Sequence, residues 1–377
     1  MKIIIAPDSF KGSMTSLEAS KAIQRGIERA VTSPQLSVIP MADGGEGTVE
    51  SIVSILGGEI LERNVLDPLG RDISAVFGWI PETKTAVIET AAASGLPLLK
   101  DHELNPDESS TYGTGQQVQY ALELGAERII LGLGGSATVD GGTGFLRALG
   151  VRFFDEAGLE LAGGGNVLGA IHTIDSSGIE HRLRQMEWVV ASDVTNPLLG
   201  EEGAIRVFGP QKGVTEAQLA VFEKRMEHFA QIVEKHTGKG RRASEGSGAA
   251  GGFGFALHSF FNPSFQSGFS LIAQLSGLHD EMKGASLVLT GEGKVDAQSL
   301  YGKVPVGVGR IAREHHIPVV AFTGKSEGSI EKLSSEGVSL VFPIVDSPMT
   351  LNEAMKNAST LLEKAAERLM RAFLLDK

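Results

Sequence analysis

The chain opens and closes on the same rhythm, and that recurrence limits its possible folds more than any other feature. Ile3–Ala6 is a short apolar run, followed by Thr15–Val31 with Leu17, Ala22, Ile23, Ile27 and Val31 near helical spacing. A second strand over Leu36–Met41 and a helix over Val49–Leu56 come next. After Gly284 the alternation returns: strand Ser286–Leu289, helix Val304–His315, strand Pro318–Phe322, helix Ser329–Ser335, strand Val338–Ile344 and helix Leu351–Phe373. Strands alternating with helices specify a doubly wound, parallel α/β sheet.

Between these blocks the pattern changes. Glu59–Thr90 divides into β-type segments near Ile60–Val65, Ile73–Ile80 and Thr85–Glu89, with turn residues such as Asp67-Pro68-Leu69-Gly70 between them, which suggests antiparallel strands. The middle then mixes helices (Gly115–Leu124, Thr143–Leu149, Glu216–Lys235) with strands (Arg128–Leu133, Val151–Asp155, Trp188–Asp193). At 377 residues the chain exceeds the ~250–300 at which single cores stop growing. The expectation is a discontinuous parallel-sheet α/β domain, residues 1–64 plus 285–377, with a second α/β domain of mixed or antiparallel strands inserted over 65–284.

Charge narrows the partners. Acidic residues number 46 against 34 basic ones, a net charge of −12, and no basic run offsets it, so nucleic acid and anionic membranes are not expected. The chain has no cysteine, which excludes disulfides, thiolate metal sites and cysteine nucleophiles. The apolar run at Ile3–Ala6 is too short for a signal peptide, and no segment approaches the ~18 apolar residues of a membrane span. A cytoplasmic protein is expected, with homo-oligomer formation left open.

Gly132–Gly144 holds six glycines in thirteen positions behind the apolar Ile129–Leu131, and also carries Ser136, Thr138 and Asp140. Bare N–H groups at a strand-to-helix turn suit phosphate, and a tight packing turn is the alternative. The same run fits the GxGxxA dinucleotide fingerprint, with Asp155 as its ribose-binding acid, which keeps an NAD-dependent oxidoreductase in view. Gly324-Lys325-Ser326 has the tail of a phosphate-binding loop, but Val319 stands where its first glycine belongs, so it is read as a turn. A GxSxG elbow is absent, and His315-His316 is read as the end of a helix.

Carboxylates and lysines recur at predicted strand ends: Asp8 and Lys11, Asp43 and Glu46, Asp193, then Glu292, Lys294 and Asp296. Ligands bind at strand C-termini in open α/β sheets. Acids to hold a divalent cation, lysines to hold phosphate oxygens and an acid to take a hydroxyl proton are what phosphoryl transfer needs.

The ordered motifs APDSFKGS (Ala6–Ser13), PMADGGEGT (Pro40–Thr48), AAASGLPLL (Ala91–Leu99), TYGTG (Thr111–Gly115), GGSATVDGGTG (Gly134–Gly144), SDVTNPLLG (Ser192–Gly200), FGPQKG (Phe208–Gly213), GAAGG (Gly248–Gly252) and TGEGKVDAQS (Thr290–Ser299) span nearly the whole chain. In these the chain resembles the bacterial glycerate kinases, which phosphorylate D-glycerate with ATP on a fold unrelated to P-loop kinases. The resemblance implies a Rossmann-like domain, an inserted α/β domain and an active site in the cleft between them. It implies 2-phosphoglycerate as product, 3-phosphoglycerate being the alternative, and Mg2+ with ATP as cosubstrate.

On that resemblance, the ATP phosphates are expected near the amides of Gly134, Gly135 and Ser136, with Mg2+ on Asp193. Lys11 or Lys294, with Ser9 or Ser13, would meet the glycerate carboxylate. Asp296 is the expected base and Asp43 the second choice, while Asp8, Asp140 and Asn196 join the binding set. Gln116, Val139 and Thr195 depart from residues common in the family, and no ligand role is assigned to them.

Overall fold

The structure is a computed structural model that describes residues 1–295, 303–327 and 330–375. Its strands are β1 (Lys2–Ile5), β2 (Gln35–Val38), β3 (Glu59–Leu66), β4 (Asp72–Ile80), β5 (Thr85–Glu89), β6 (Arg128–Gly132) and β7 (Arg152–Phe154). They continue as β8 (Thr173–Asp175), β9 (Glu187–Ala191), β10 (Ser264–Gln266), β11 (Leu287–Val295), β12 (Val319–Ser326) and β13 (Leu340–Pro343). The chain divides into two compact units, one of residues 1–43, 50–56 and 269–377, the other of residues 44–49 and 57–268. These boundaries differ from 64/65 and 284/285 for a local reason. The whole of β3 pairs antiparallel with β4, which carries residues 59–64 into the second unit.

In the first unit all five strands are parallel, in the order β2-β1-β11-β12-β13. Numbered within the unit this is 2-1-3-4-5, a doubly wound order whose topological switch point lies between β1 and β11. The run Ile3, Ile4, Ile5 is fully buried because helices cover both faces of such a sheet. On one face the helix Ser16–Ala30 packs with Ala358–Phe373. Their approach is so close at Gly26 that a Cβ there would lie 2.3 Å from the Glu363 carbonyl oxygen. A glycine in mid-helix costs about 1 kcal/mol relative to alanine, and here it permits the contact.

Strand β11 outruns its neighbour. Its pairing with β1 ends at Leu289, yet it continues beside β12 to Val295, bringing Glu292 opposite Thr323 and Lys294 opposite Lys325. Gly324-Lys325-Ser326 is therefore the end of a strand and not a turn, because this ladder holds it extended.

The second unit carries a mixed six-stranded sheet, β10-β9-β6-β5-β4-β3. Strands β3, β4 and β5 are antiparallel, as their alternating pattern suggests, while β5, β6, β9 and β10 run parallel. Aromatic side chains fill its core: Phe145 lies 4.6 Å from Phe253 and Trp188 lies 4.7 Å from Phe261, centroid to centroid. Strands β7 and β8 form a separate hairpin sheet. Among the described residues, no helix is long and apolar enough to cross a membrane.

Candidate active site

In the first unit the chain leaves β1 and turns at once. Asp8 N–H donates to the Gly291 carbonyl at 2.9 Å, and Phe10 N–H to the Met14 carbonyl at 2.9 Å, which closes a short loop pinned by the buried Phe10 ring. The segment after β2 is tied alongside, with Met41 N–H donating to the Pro7 carbonyl at 3.0 Å. The loop bearing Asp8 and Lys11, the segment ending in Asp43 and the overshoot of β11 are thus gathered at the switch point. The Lys11 Nζ lies 3.0 Å from Asp43 Oδ2, and Lys303 Nζ lies 3.6 Å from Glu292 Oε2.

The electrostatics are those of crowded acids. Asp8 is buried, and its carboxyl is pushed up to about 8, first by desolvation and then by the charge of Asp43, against the Ser9 amide and Lys11. Glu292, also buried, adds to the push. Burial works against the Lys11 ammonium, yet Asp43, Asp8 and Glu292 together hold its pKa above the ordinary lysine value.

A cavity of about 390 Å³ opens beside this cluster. Asp8, Ser9, Lys11, Ser13, Glu292, Lys294, Lys303 and Lys325 line its polar end. The other wall is apolar and comes from the segment after β13 and the helix Leu351–Lys356: Ile344, Val345, Leu351, Ala354 and Met355. Lys294 Nζ lies 2.8 Å from Glu327 Oε2, and Lys325 pairs with the same carboxylate. Ser13 Oγ donates to the Phe10 carbonyl at 2.8 Å, whereas the buried Ser9 hydroxyl has no hydrogen-bond partner among the described residues. Asp296 lies outside the described residues.

Gly134, Gly135, Ser136 and Asp140 belong to the second unit, and so do Asp193 and Asn196. Most of their polar groups are turned inward. The Asp140 carboxylate is fully buried and accepts from Thr111 N (2.8 Å), Thr111 Oγ1 (2.8 Å), Gly144 N (3.1 Å) and Gly142 N (3.0 Å). Burial raises its pKa against the pull of those donors. The Gly134 amide donates to the Gly44 carbonyl at 3.4 Å, and the Ala137 amide to the Ser94 carbonyl at 2.9 Å. A Cβ on Gly134 would lie 2.7 Å from Gly45 Cα, so close backbone packing alone requires this glycine. The dense glycine cluster is thus in large part a packing turn.

Asp193 follows β9, is exposed, and accepts from Gly268 N at 3.3 Å, while Asn196 Nδ2 donates to the Glu202 carbonyl at 2.8 Å. Among the described residues, no set of three or more His, Asp or Glu side chains is arranged to hold a metal.

One residue of this second loop lies outside the strand-end pattern. Lys212, from the FGPQKG motif and only 2% exposed, donates to Ser136 Oγ at 2.6 Å and to the Thr138 carbonyl at 2.9 Å. Burial lowers its pKa to about 7, partly opposed by Asp140. An ammonium only donates, so Ser136 Oγ is the acceptor and keeps its own hydrogen for another oxygen. The signal in the sequence was a lysine within a conspicuous motif, but its partners lie 74 and 76 residues away.

Two of the departures from the family pattern, Val139 and Gln116, are structural positions. Val139 is fully buried in the core, and Gln116 Oε1 accepts from Leu66 N at 2.8 Å. The dinucleotide alternative loses its ribose acid: Asp155 follows β7, which is not in the sheet of β6, and its Oδ1 caps a turn by accepting from Leu159 N at 2.8 Å.

Residues 3–374 match the model described as "Glycerate kinase family". The chain is 45% identical to glycerate kinase of Halalkalibacterium halodurans over 97% of each chain. It is 40% identical to glycerate 2-kinase of Escherichia coli, over 95% of this chain and 94% of the relative. Among solved structures it resembles that of a protein proposed to be glycerate kinase 2 from Salmonella typhimurium LT2. That likeness has a TM-score of 0.88 and 38% identity, over 99% of this chain and 98% of the other.

Proposed function

The chain belongs to the glycerate kinase family, and from that premise we propose that it phosphorylates D-glycerate with ATP, giving 2-phosphoglycerate and ADP. The observation that carries the chemistry is the cluster at the switch point, where Asp8, Asp43 and Glu292 meet Lys11 and Lys303 on the edge of a ligand-sized cavity. In the proposed step the glycerate 2-hydroxyl oxygen attacks the γ-phosphorus and the bond to the bridging oxygen of ADP breaks. The hydroxyl proton passes to a carboxylate.

We assign that proton to Asp43, which Lys11 orients at 3.0 Å. Lys11 and Lys294 neutralise charge on the transferring group. Mg2+ would be held by Asp8 and Glu292, whose mutual repulsion a divalent cation relieves, in place of Asp193. Bound there, it would neutralise the negative charge on the phosphate oxygens that opposes attack. ATP as cosubstrate supports a cytoplasmic location.

The test is product analysis by phosphorus NMR after mixing the protein with D-glycerate and Mg-ATP. ADP plus a phosphomonoester resonance split into a doublet by one neighbouring proton is the expected result. A triplet would assign the 3-position instead, and unchanged ATP would refute the kinase.

A further inference from the structure

We propose that the cavity of the first unit is the adenine-nucleotide site, with the base against its apolar wall and the phosphates at its lysine end. This rests on the kinase reading and adds where the nucleotide lies, away from the Gly134–Ser136 amides.

The cavity has two chemically different linings. Val345, Leu351, Ala354 and Met355 supply apolar lining, while Lys11 and Lys294 supply cationic lining. An occupant complementary to both has a flat apolar body and a polyanionic tail, as an adenine nucleotide does, and about 390 Å³ is within the range of small-ligand pockets. Leu351 supports the apolar half. It leads its helix with 76% of its surface exposed, on the cavity rim, and packing against a base would cover it. Ser9 supports the polar half. It lines the cavity with only 6% exposure, and its hydroxyl has no hydrogen-bond partner among the described residues. A buried hydroxyl left unpaired costs stability unless a ligand oxygen completes it.

Position agrees with chemistry, since these groups lie at the C-terminal ends of parallel strands beside the switch point. The alternative location, where the Thr138 hydroxyl is likewise buried without a partner among the described residues, is in part engaged by its own contacts. Of the glycine-rich loop's amides, Gly134 and Ala137 already donate to carbonyls, and Lys212 beneath it is engaged by Ser136 and Thr138.

The experiment uses the full-length enzyme, the variants Leu351→Asp and Ala354→Trp, and ADP as the probe. Leu351 is exposed enough that its replacement leaves the core untouched, which keeps the test valid if Ala354→Trp folds poorly. Calorimetric titration is expected to show ADP binding weakened about tenfold or more in each folded variant, with the KM for ATP rising and the KM for glycerate unchanged. In parallel, 8-azido-ADP should label a peptide within residues 344–358, with protection by excess ADP. Labelling within 134–144, or ADP binding within about twofold of wild type in Leu351→Asp, overturns the assignment while phosphoglycerate production continues. A wild-type protein that neither binds ADP nor makes phosphoglycerate overturns the kinase reading itself, and the nucleotide site with it.

Discussion

Asp140 and Asp8 are both buried carboxylates in glycine-containing loops behind parallel strands, yet their surroundings are opposite. Asp140 is ringed by four donors from Thr111, Gly142 and Gly144, so its charge is matched within its own unit. Asp8 accepts from the Ser9 amide at 2.7 Å but faces Asp43 and Glu292, which push its pKa to about 8. Nearby, Ser9 Oγ is left without a partner among the described residues. The Asp140 carboxylate is matched by donors of its own unit, whereas the Asp8 loop is the one proposed to be completed by something it binds. Perturbed acids and orphaned hydroxyls collect where function costs stability. The richest glycine motif is for that reason not the place where the chemistry is assigned.

The sharpest way to break this contrast is to remove one acid from each region. Asp43→Asn is expected to lower kcat by about 10²- to 10⁴-fold while the KM for ATP changes little, because positioning survives and proton transfer does not. Its pairing with Lys11, whose side chain is 62% exposed, contributes at most about 1 kcal/mol to folding. Near-normal turnover in steady-state assays would remove Asp43 from the mechanism. Asp140→Ala should behave in the reverse sense, losing roughly 3 kcal/mol or more of stability in urea titrations, since it strands the Thr111 and Gly142 donors in a dry core. If Asp140→Ala unfolds at the wild-type urea midpoint but has lost its activity, the two regions are not opposites.

How much of this could be read from the sequence follows from the range of the interactions. Parallel strands such as β1 and β11 announce themselves by local apolar runs, and the switch-point residues Asp8, Lys11, Asp43 and Lys294 were legible because they stand directly after such runs or within their extensions. The extension of β11 past Leu289 was not legible, because Gly291, Glu292 and Gly293 read as a loop until the ladder to β12 holds them extended. The donors that ring Asp140 were not legible, because Thr111 lies 29 residues upstream in another motif. The apolar cavity wall was hidden as well, since Leu351, Ala354 and Met355 look like the buried stripe of an ordinary amphipathic helix. Only the strand-end topology turns that stripe toward a cavity.

A smaller effect probes Lys212, the charge held beneath the self-satisfied loop. An unfolded lysine keeps its proton to about 10.5, whereas Lys212 in the folded protein loses it near 7. Between those values the unfolded state binds more protons, so stability rises with pH, and the contribution of this residue is lost as pH falls toward 7. The slope from one such group is at most about 1.4 kcal/mol per pH unit. Lys212→Met should therefore show a flatter stability curve than wild type between pH 7.5 and 9.5 in chemical denaturation. Parallel curves would mean that burial does not depress this ammonium, and that Lys212 carries a counter-charge throughout.

The smallest predicted effect makes the finest distinction, because it compares two serines in one short loop. Ser13 Oγ already donates to the Phe10 carbonyl at 2.8 Å, so Ser13→Ala should cost about 0.5–1.5 kcal/mol of stability and leave ADP affinity alone. Ser9 Oγ makes no bond to the described residues, so Ser9→Ala should cost no stability and could raise it slightly. Its loss should instead weaken ADP binding by about 3- to 10-fold, the worth of one hydrogen bond to a phosphate oxygen. Thermal denaturation with and without ADP separates the two: the ligand-induced rise in Tm should shrink for Ser9→Ala and persist for Ser13→Ala. Equal ligand shifts in both variants would show that the unpaired hydroxyl is a packing defect, and the first unit would then hold its nucleotide through the lysines and the apolar wall alone.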